Sequence, residues 1–154
     1  GSISQDVAWY QPFYVPLRTT FVNIGFQIVT PQPGGLVRVG VYADDGAGQA
    51  GSRLYQTADI DSSTAGVKVI ATGGLDLDAG LYWLASLCND INVQARCIDR
   101  STLIASMGFP STFGNLGASQ NLWQEAQTFA SGLPASAAIA SANALDPPMI
   151  FLEP

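Results

Sequence analysis

Turn-forming residues interrupt this chain so often that no long regular element fits between them. "PQPGG" at residues 31–35 combines prolines that fix φ with glycines that permit positive φ. "DDGAGQAG" (44–51), "DIDSSTAG" (59–66), "LDLDAG" (75–80) and "NDIN" (89–92) repeat the signal. The runs between them alternate. Residues 19–30, "TTFVNIGFQIVT", place Val22, Ile24, Phe26 and Ile28 on one face and Asn23, Gly25 and Gln27 on the other. Residues 36–43 turn Val37, Val39 and Val41 inward, and residues 67–72 place Val67, Val69 and Ala71 on one face. The run 81–88, "LYWLASLC", is almost continuously apolar, as a central strand covered on both sides would be. Shorter strands are expected at 53–58, 93–98, 102–107 and 149–152. Residues 108–120 read as loop. Residues 122–129 fit either a helix face (Leu122, Ala126, Phe129) or a strand face (Trp123, Glu125, Gln127, Phe129), and strand neighbours favour the strand. A helix over 135–145 is open on alanine propensity. Turns recurring roughly every 8–12 residues, without an alternating helix pattern, predict an all-β sandwich. The expected form is a jelly roll of about nine or ten strands, filling one domain over 3–154. Gly1-Ser2 reads as a cloning scar, and the rest as a fragment of a larger protein.

Charge narrows the functional classes. Only 12% of residues are charged, about half the usual share, so small polar side chains must cover the surface, a cover suited to sugars or to a sister chain. The net charge is −6 and the six Lys and Arg are scattered, which argues against nucleic acid as a partner. The longest apolar run is strand-sized, so membrane insertion is not expected. The chain has no histidine, which removes the commonest general base and metal ligand and rules out a Ser-His-Asp triad. Two cysteines, Cys88 and Cys97, are too few for a zinc site; buried free thiols are the leading expectation, and a disulfide across a wider loop the lesser alternative.

Asp44 and Asp45, set before Gly46 and Gly48, raise the question of calcium. A calcium loop spaces several oxygen ligands around its turn, whereas these two are adjacent and Ala47, Gln49 and Ala50 add no carboxylate. A hairpin tip is the leading expectation and calcium the lesser alternative; no cofactor is expected. Glycoside hydrolysis needs two opposed carboxyls, and Asp76, Asp78, Asp90, Asp99 and Glu125 contain no marked pair. The aromatics are more informative. Trp123 stands among Asn121, Gln124 and Gln127, while Trp9, Tyr10, Phe13 and Tyr14 crowd the N-terminus. A ring flanked by amides suits a sugar, whose C–H faces stack while its hydroxyls bond the amides. Trp123, Asn121 and Gln124, then Trp9 and Tyr10, are therefore the candidate glycan-binding residues. Core packing is the competing role for Trp123, and a clamp across the sandwich or packing against a sister chain is the competing role for the N-terminal aromatics.

The run "LVRVGVYADDGAGQAGSRLY" followed by "TAGVKVIATGGLDLDAGLYWLASL" resembles a jelly-roll module of bacteriophage tail-fibre and other virion receptor-binding proteins. The likeness lies in Arg38, Gly40 and Tyr42 (R-x-G-x-Y), the hairpin from Asp44 to Gly51, Leu54, and Ala79 to Ala85; "QTFASGLPASA" (127–137) is similar to that group's C-terminal part. Ala50-Gly51 stands where the group has proline-glycine. The N-terminal aromatics and residues 108–120 do not match, so target choice is expected there. Independently of the likeness, Gly40 between Arg38 and Tyr42 leaves a gap on the outer face where a loop or another chain can approach closely.

The resemblance implies a non-enzymatic receptor-binding domain of a phage-like virion appendage, a homotrimer that recognises a bacterial cell-surface polysaccharide. The alternatives are a head-decoration or fibre-assembly domain without a ligand and, third, a polysaccharide depolymerase.

Overall fold

A computed structural model describes residues 3–97, 122–138, 141–143 and 148–154. Among these residues there is no α-helix, and the only helical turn is a 3-10 segment at Phe129–Ser131. The strands are β1 (Val7–Val15), β2 (Thr19–Thr30), β3 (Leu36–Asp44), β4 (Ala50–Gln56), β5 (Ile60–Asp61), β6 (Gly66–Leu77), β7 (Gly80–Cys88), β8 (Gln94–Ala95), β9 (Leu122–Ala126), β10 (Ser141–Asn143) and β11 (Phe151–Glu153). They form two antiparallel sheets. The larger has the order β10-β9-β1-β7-β3-β4, with β5 beside β3; the smaller has the order β11-β2-β6, with β8 beside β2. The chain is therefore all-β, as its turn spacing predicts.

The main core lies between the sheets. The larger sheet contributes Trp9, Val15, Val37, Val39, Val41 and Leu84, and the smaller Phe21, Ile24, Phe26, Ile28 and Leu77. A second cluster covers the opposite face of the larger sheet: Ala8, Tyr10, Tyr42, Trp83, Ala85 and Leu87 pack with Phe129 and Leu133. Burial on both faces explains the unbroken apolar run of β7, which sits between β1 and β3.

The observed register alters two expectations and gives a third its direction. Val22 is 45% exposed while Phe21 is buried, because the β2–β6 pairing shifts between Phe21 and Asn23 and a bulge inverts the alternation there. On β6, Val67, Val69 and Ala71 do share a face, but it is the exposed one; Ile70 and Leu75 turn toward the core. Of the strand expected over 93–98, residues 94–95 pair with β2 and Cys97 makes an isolated bridge to Pro148, while residue 98 lies outside the described residues. The strand over 102–107 and the loop over 108–120 lie outside the described residues.

β1 was not legible as a strand. Its sequence, "VAWYQPFYV", is packed on both faces and so does not alternate, and Pro12 interrupts it. Among the described residues β9 pairs with Val7 to Tyr10, so at position 12 the described pairing of β1 is the single ladder to β7, where a proline is tolerated.

Two glycines allow a direct test of this packing. A Cβ at Gly40 would meet the Tyr55 carbonyl at 2.7 Å and Leu133 Cδ1 at 2.8 Å, whereas Gly46 has open space but a φ of 87°. Gly40→Ala is expected to lower stability by about 1–3 kcal/mol through overpacking, and Gly46→Ala by about 1–2 kcal/mol through backbone strain alone. Chemical denaturation tests both; a Gly40→Ala protein as stable as the parent would mean that residues 127–138 do not seat as described.

Candidate functional site

Opposed pairs along the ladders place Trp123, Tyr10, Ala85, Gly40 and Gln56 in one row across the larger sheet. Pro12, Trp83, Tyr42 and Arg53 form the next row. Residues opposite one another in a ladder share a face, and this face is the outer one, on which residues 127–138 lie as a strap. Leu133 enters the gap left by Gly40. The close approach expected at Gly40 is thus made by the chain's own C-terminal region.

The strap is held mainly through its backbone. Arg38 bonds Asp59 Oδ1 at 2.5 Å through Nε and donates from Nη1 to the Phe129 carbonyl at 2.6 Å, with its guanidinium 4.3 Å from the Phe129 ring centre. Arg53 donates to the Leu133 carbonyl, and Gln56 Oε1 accepts from the Leu133 amide at 2.8 Å. The Tyr42 hydroxyl donates to the Pro134 carbonyl at 2.7 Å. Asp6, whose φ is 53°, accepts from the Gln127 amide through its carbonyl and from the Phe129 amide through Oδ1. Backbone bonds join Arg53 to Ala135 and Ala137 to Gly51.

Beneath the strap lies a buried polar group. Glu125, only 6% exposed, accepts the Tyr10 hydroxyl on Oε1 and the Ala138 amide on Oε2. Tyr10 meets Tyr42 edge to face, with ring centres 5.1 Å apart. Burial pushes the Tyr42 hydroxyl up to about 12; burial, then the bond to Glu125, raises Tyr10 as well.

The candidate glycan residues separate. Trp9 and Tyr10 are 5% and 0% exposed and belong to the inner and outer cores respectively, which corrects their assignment as a sugar platform. Their apolar rings saturate the two faces of β1. Trp123 is half-buried at the margin of the outer cluster. Gln124 opposes Trp9 and so points to the other side of the sheet from Trp123, and the two cannot grip one sugar together. Asn121 lies outside the described residues. Tyr14, which the sequence places in the N-terminal aromatic cluster but not among the candidate binding residues, is 57% exposed two residues beyond Pro12, on the face that carries Tyr10.

The Asp/Gly stretch is a hairpin tip joining β3 to β4, as expected. Asp44 Oδ2 accepts from the Gly46 amide at 2.9 Å, and Oδ1 accepts from Trp83 Nε1 at 3.0 Å. Asp45 Oδ1 accepts from the amides of Ala47 and Gln49 at 2.7 and 3.1 Å. Both carboxylates thus cap the turn, and among the described residues no group of three or more acidic or cysteine side chains is arranged to hold a metal. Asp76 and Asp78 are exposed and share Arg18, at 3.5 and 3.7 Å. Cys88 and Cys97 are free thiols; Cys88 is buried, whereas Cys97 is only half-buried. Compared with known proteins, the chain matches no family model, no curated protein and no solved structure.

Arg38→Lys keeps the charge but loses the planar fork that serves Asp59 and Phe129 together, and is expected to cost about 1–2 kcal/mol in a denaturation experiment. An unchanged midpoint would show that the fork is not used. The tyrosines give a pH signature. A hydroxyl whose folded-state value is raised stays neutral in the fold, so its stabilisation is whole below about pH 10. It drains as the pH climbs toward about 12. Urea midpoints should hold from pH 8 to about 10 and fall above it, with tyrosinate absorbance from Tyr10 and Tyr42 appearing only as the protein unfolds. Ionisation of all five tyrosines in the folded state would contradict the buried pair.

Proposed function

We propose that this chain is a non-enzymatic, glycan-recognising domain of jelly-roll type from a phage-like virion appendage such as a tail fibre or spike. In this reading it works as a homotrimer on the particle surface, and its partner is a bacterial cell-surface polysaccharide. The observation that carries the reading is the mutual docking of the two stretches that bear the resemblance. Arg38, Gly40 and Tyr42 hold residues 127–137 through the Phe129 and Pro134 carbonyls and the Leu133 side chain. Their joint presence in one chain thus has a structural reason: each is the other's binding surface. The same outer face leaves Trp123 half-buried at the margin of the strap and Tyr14 exposed, and a sugar ring would stack there.

A second reading, an assembly domain without a glycan, is favoured by the smaller sheet. Val67 and Val69 stand 59% and 51% exposed on a face of β6 that carries no charge at positions 67, 69 or 71. Apolar surface of this kind suits a sister chain.

A glycan array probed with the native protein separates the two readings. The first expects a bound saccharide whose affinity falls about tenfold, some 1.4 kcal/mol, in Trp123→Ala, with the folded state verified by circular dichroism. Binding to no saccharide, together with a stable oligomer in light scattering, would replace the first reading by the second.

A further inference from the structure

The long strand β6 has one edge with no strand beside it. Among the described residues it pairs with β2 alone, along one side of its 12 residues. Two contacts show which backbone groups face the other side. The Lys68 carbonyl looks toward β2, where a Cβ at Gly25 would come within 2.6 Å of it. The Ala71 carbonyl looks away and accepts the Tyr55 hydroxyl at 3.2 Å. These directions alternate along a strand, so the N–H and C=O of Val67 and Val69 face the free edge with those of Ala71. Beside them runs an open groove of about 460 Å³, lined by residues 58–61 and 67–70, which leaves room for an incoming strand. Val67 and Val69 are 59% and 51% exposed on the outer face. Lys68 shares the opposite face with Ile70, which packs on the core. A long free edge flanked by exposed valines is a template for another strand.

We propose that this edge pairs with the same edge of a second copy, as an antiparallel ladder about a two-fold axis at Val69. The axis sets Val69 opposite Val69 and Val67 opposite Ala71, so the exposed side chains cover one another. Phe151, Gly25 and Val69 already form one row across the smaller sheet, and the row continues into its mate. Charge selects this occupant. Lys68, the only lysine in the chain, bonds the Thr64 hydroxyl at 2.8 Å and is in no ion pair among the described residues. Asp61, in the groove wall, is in none either. The groove thus offers a carboxylate, and β6 carries a cation on the face that would meet it: the strand complements its own groove. Charge also selects the register. The axis at Val69 sets Lys68 opposite Ile70, whereas an axis at Lys68 would oppose the two lysines, which destabilises a ladder. An axis at Ile70 would leave Val67 opposite Gly73, with no side chain to cover it. The Ala71 carbonyl has a second lone pair for the incoming amide beside Tyr55. The contact holds whether or not the domain binds a glycan. Being two-fold, it joins single chains into dimers, or the trimers of the proposed reading into hexamers.

Analytical ultracentrifugation of the native protein is expected to give an even number of chains. Val69→Glu is expected to halve that number, with the circular dichroism of the fold retained because the side chain lies on the surface. Val69→Cys tests the register independently of that variant. Opposed residues of a hydrogen-bonded pair have Cα atoms about 5.5 Å apart, within reach of a disulfide, so mild oxidation should link two chains. Val22→Cys, at a position 45% exposed on β2, and the parent with Cys88 and Cys97 alone should stay unlinked. A monomer, an odd number of chains, or a mass that Val69→Glu leaves unchanged overturns the proposal. So does linkage no stronger for Val69→Cys than for Val22→Cys.

Discussion

The fold depends on how the outer face of the larger sheet is covered. That face carries Tyr10, Tyr42, Trp83, Ala85 and Leu87, too much apolar surface to leave in water. A helix would be the ordinary cover, but here a strap with only one 3-10 turn does the work. Irregular backbone against a sheet brings amides and carbonyls that no ladder satisfies. The side chains of Arg38, Arg53, Gln56, Tyr42, Asp6 and Glu125 supply those bonds. The core residues Phe129 and Leu133 can be buried only because these groups meet the peptide units around them.

This use of charge explains much of the chain's economy. With so few ionisable residues, several of them serve the backbone rather than the surface. Asp44 and Asp45 tie the hairpin tip, Asp61 accepts from Ser63, and Asp90 accepts from Asn92. Carboxylates committed to amides have less capacity for ligands, which turns attention from acid–base chemistry to aromatic surfaces. The glycan reading rests on what remains accessible on the outer face, where Trp123 and Tyr14 flank a row of rings already consumed by packing.

Local pattern revealed the strands whose two faces differ. β2 and β3 alternate and were readable, and β7 was readable because a continuous apolar run between two turns has few other uses. β1 was hidden because a strand buried on both sides has no period, and its proline argues against a strand wherever both ladders are needed. The phase of β6 was legible but its direction was not. Alternation says which side chains share a face, and only the partner sheet says which face is inside. At Val22 even the phase failed, since a bulge is fixed by a pairing between strands some fifty residues apart in sequence.

The sequence by itself determined the class of fold, the hairpin at Asp44 and Asp45, and the need for a close approach at Gly40, because turn chemistry and side-chain period act over a few residues. Only the tertiary structure decided what approaches Gly40, that Trp9 and Tyr10 are core, and that Trp123 and Gln124 face opposite ways. The reason is physical. An aromatic beside an amide has the same local sequence whether it faces a sugar or a neighbouring sheet, and its environment comes from strands distant along the chain.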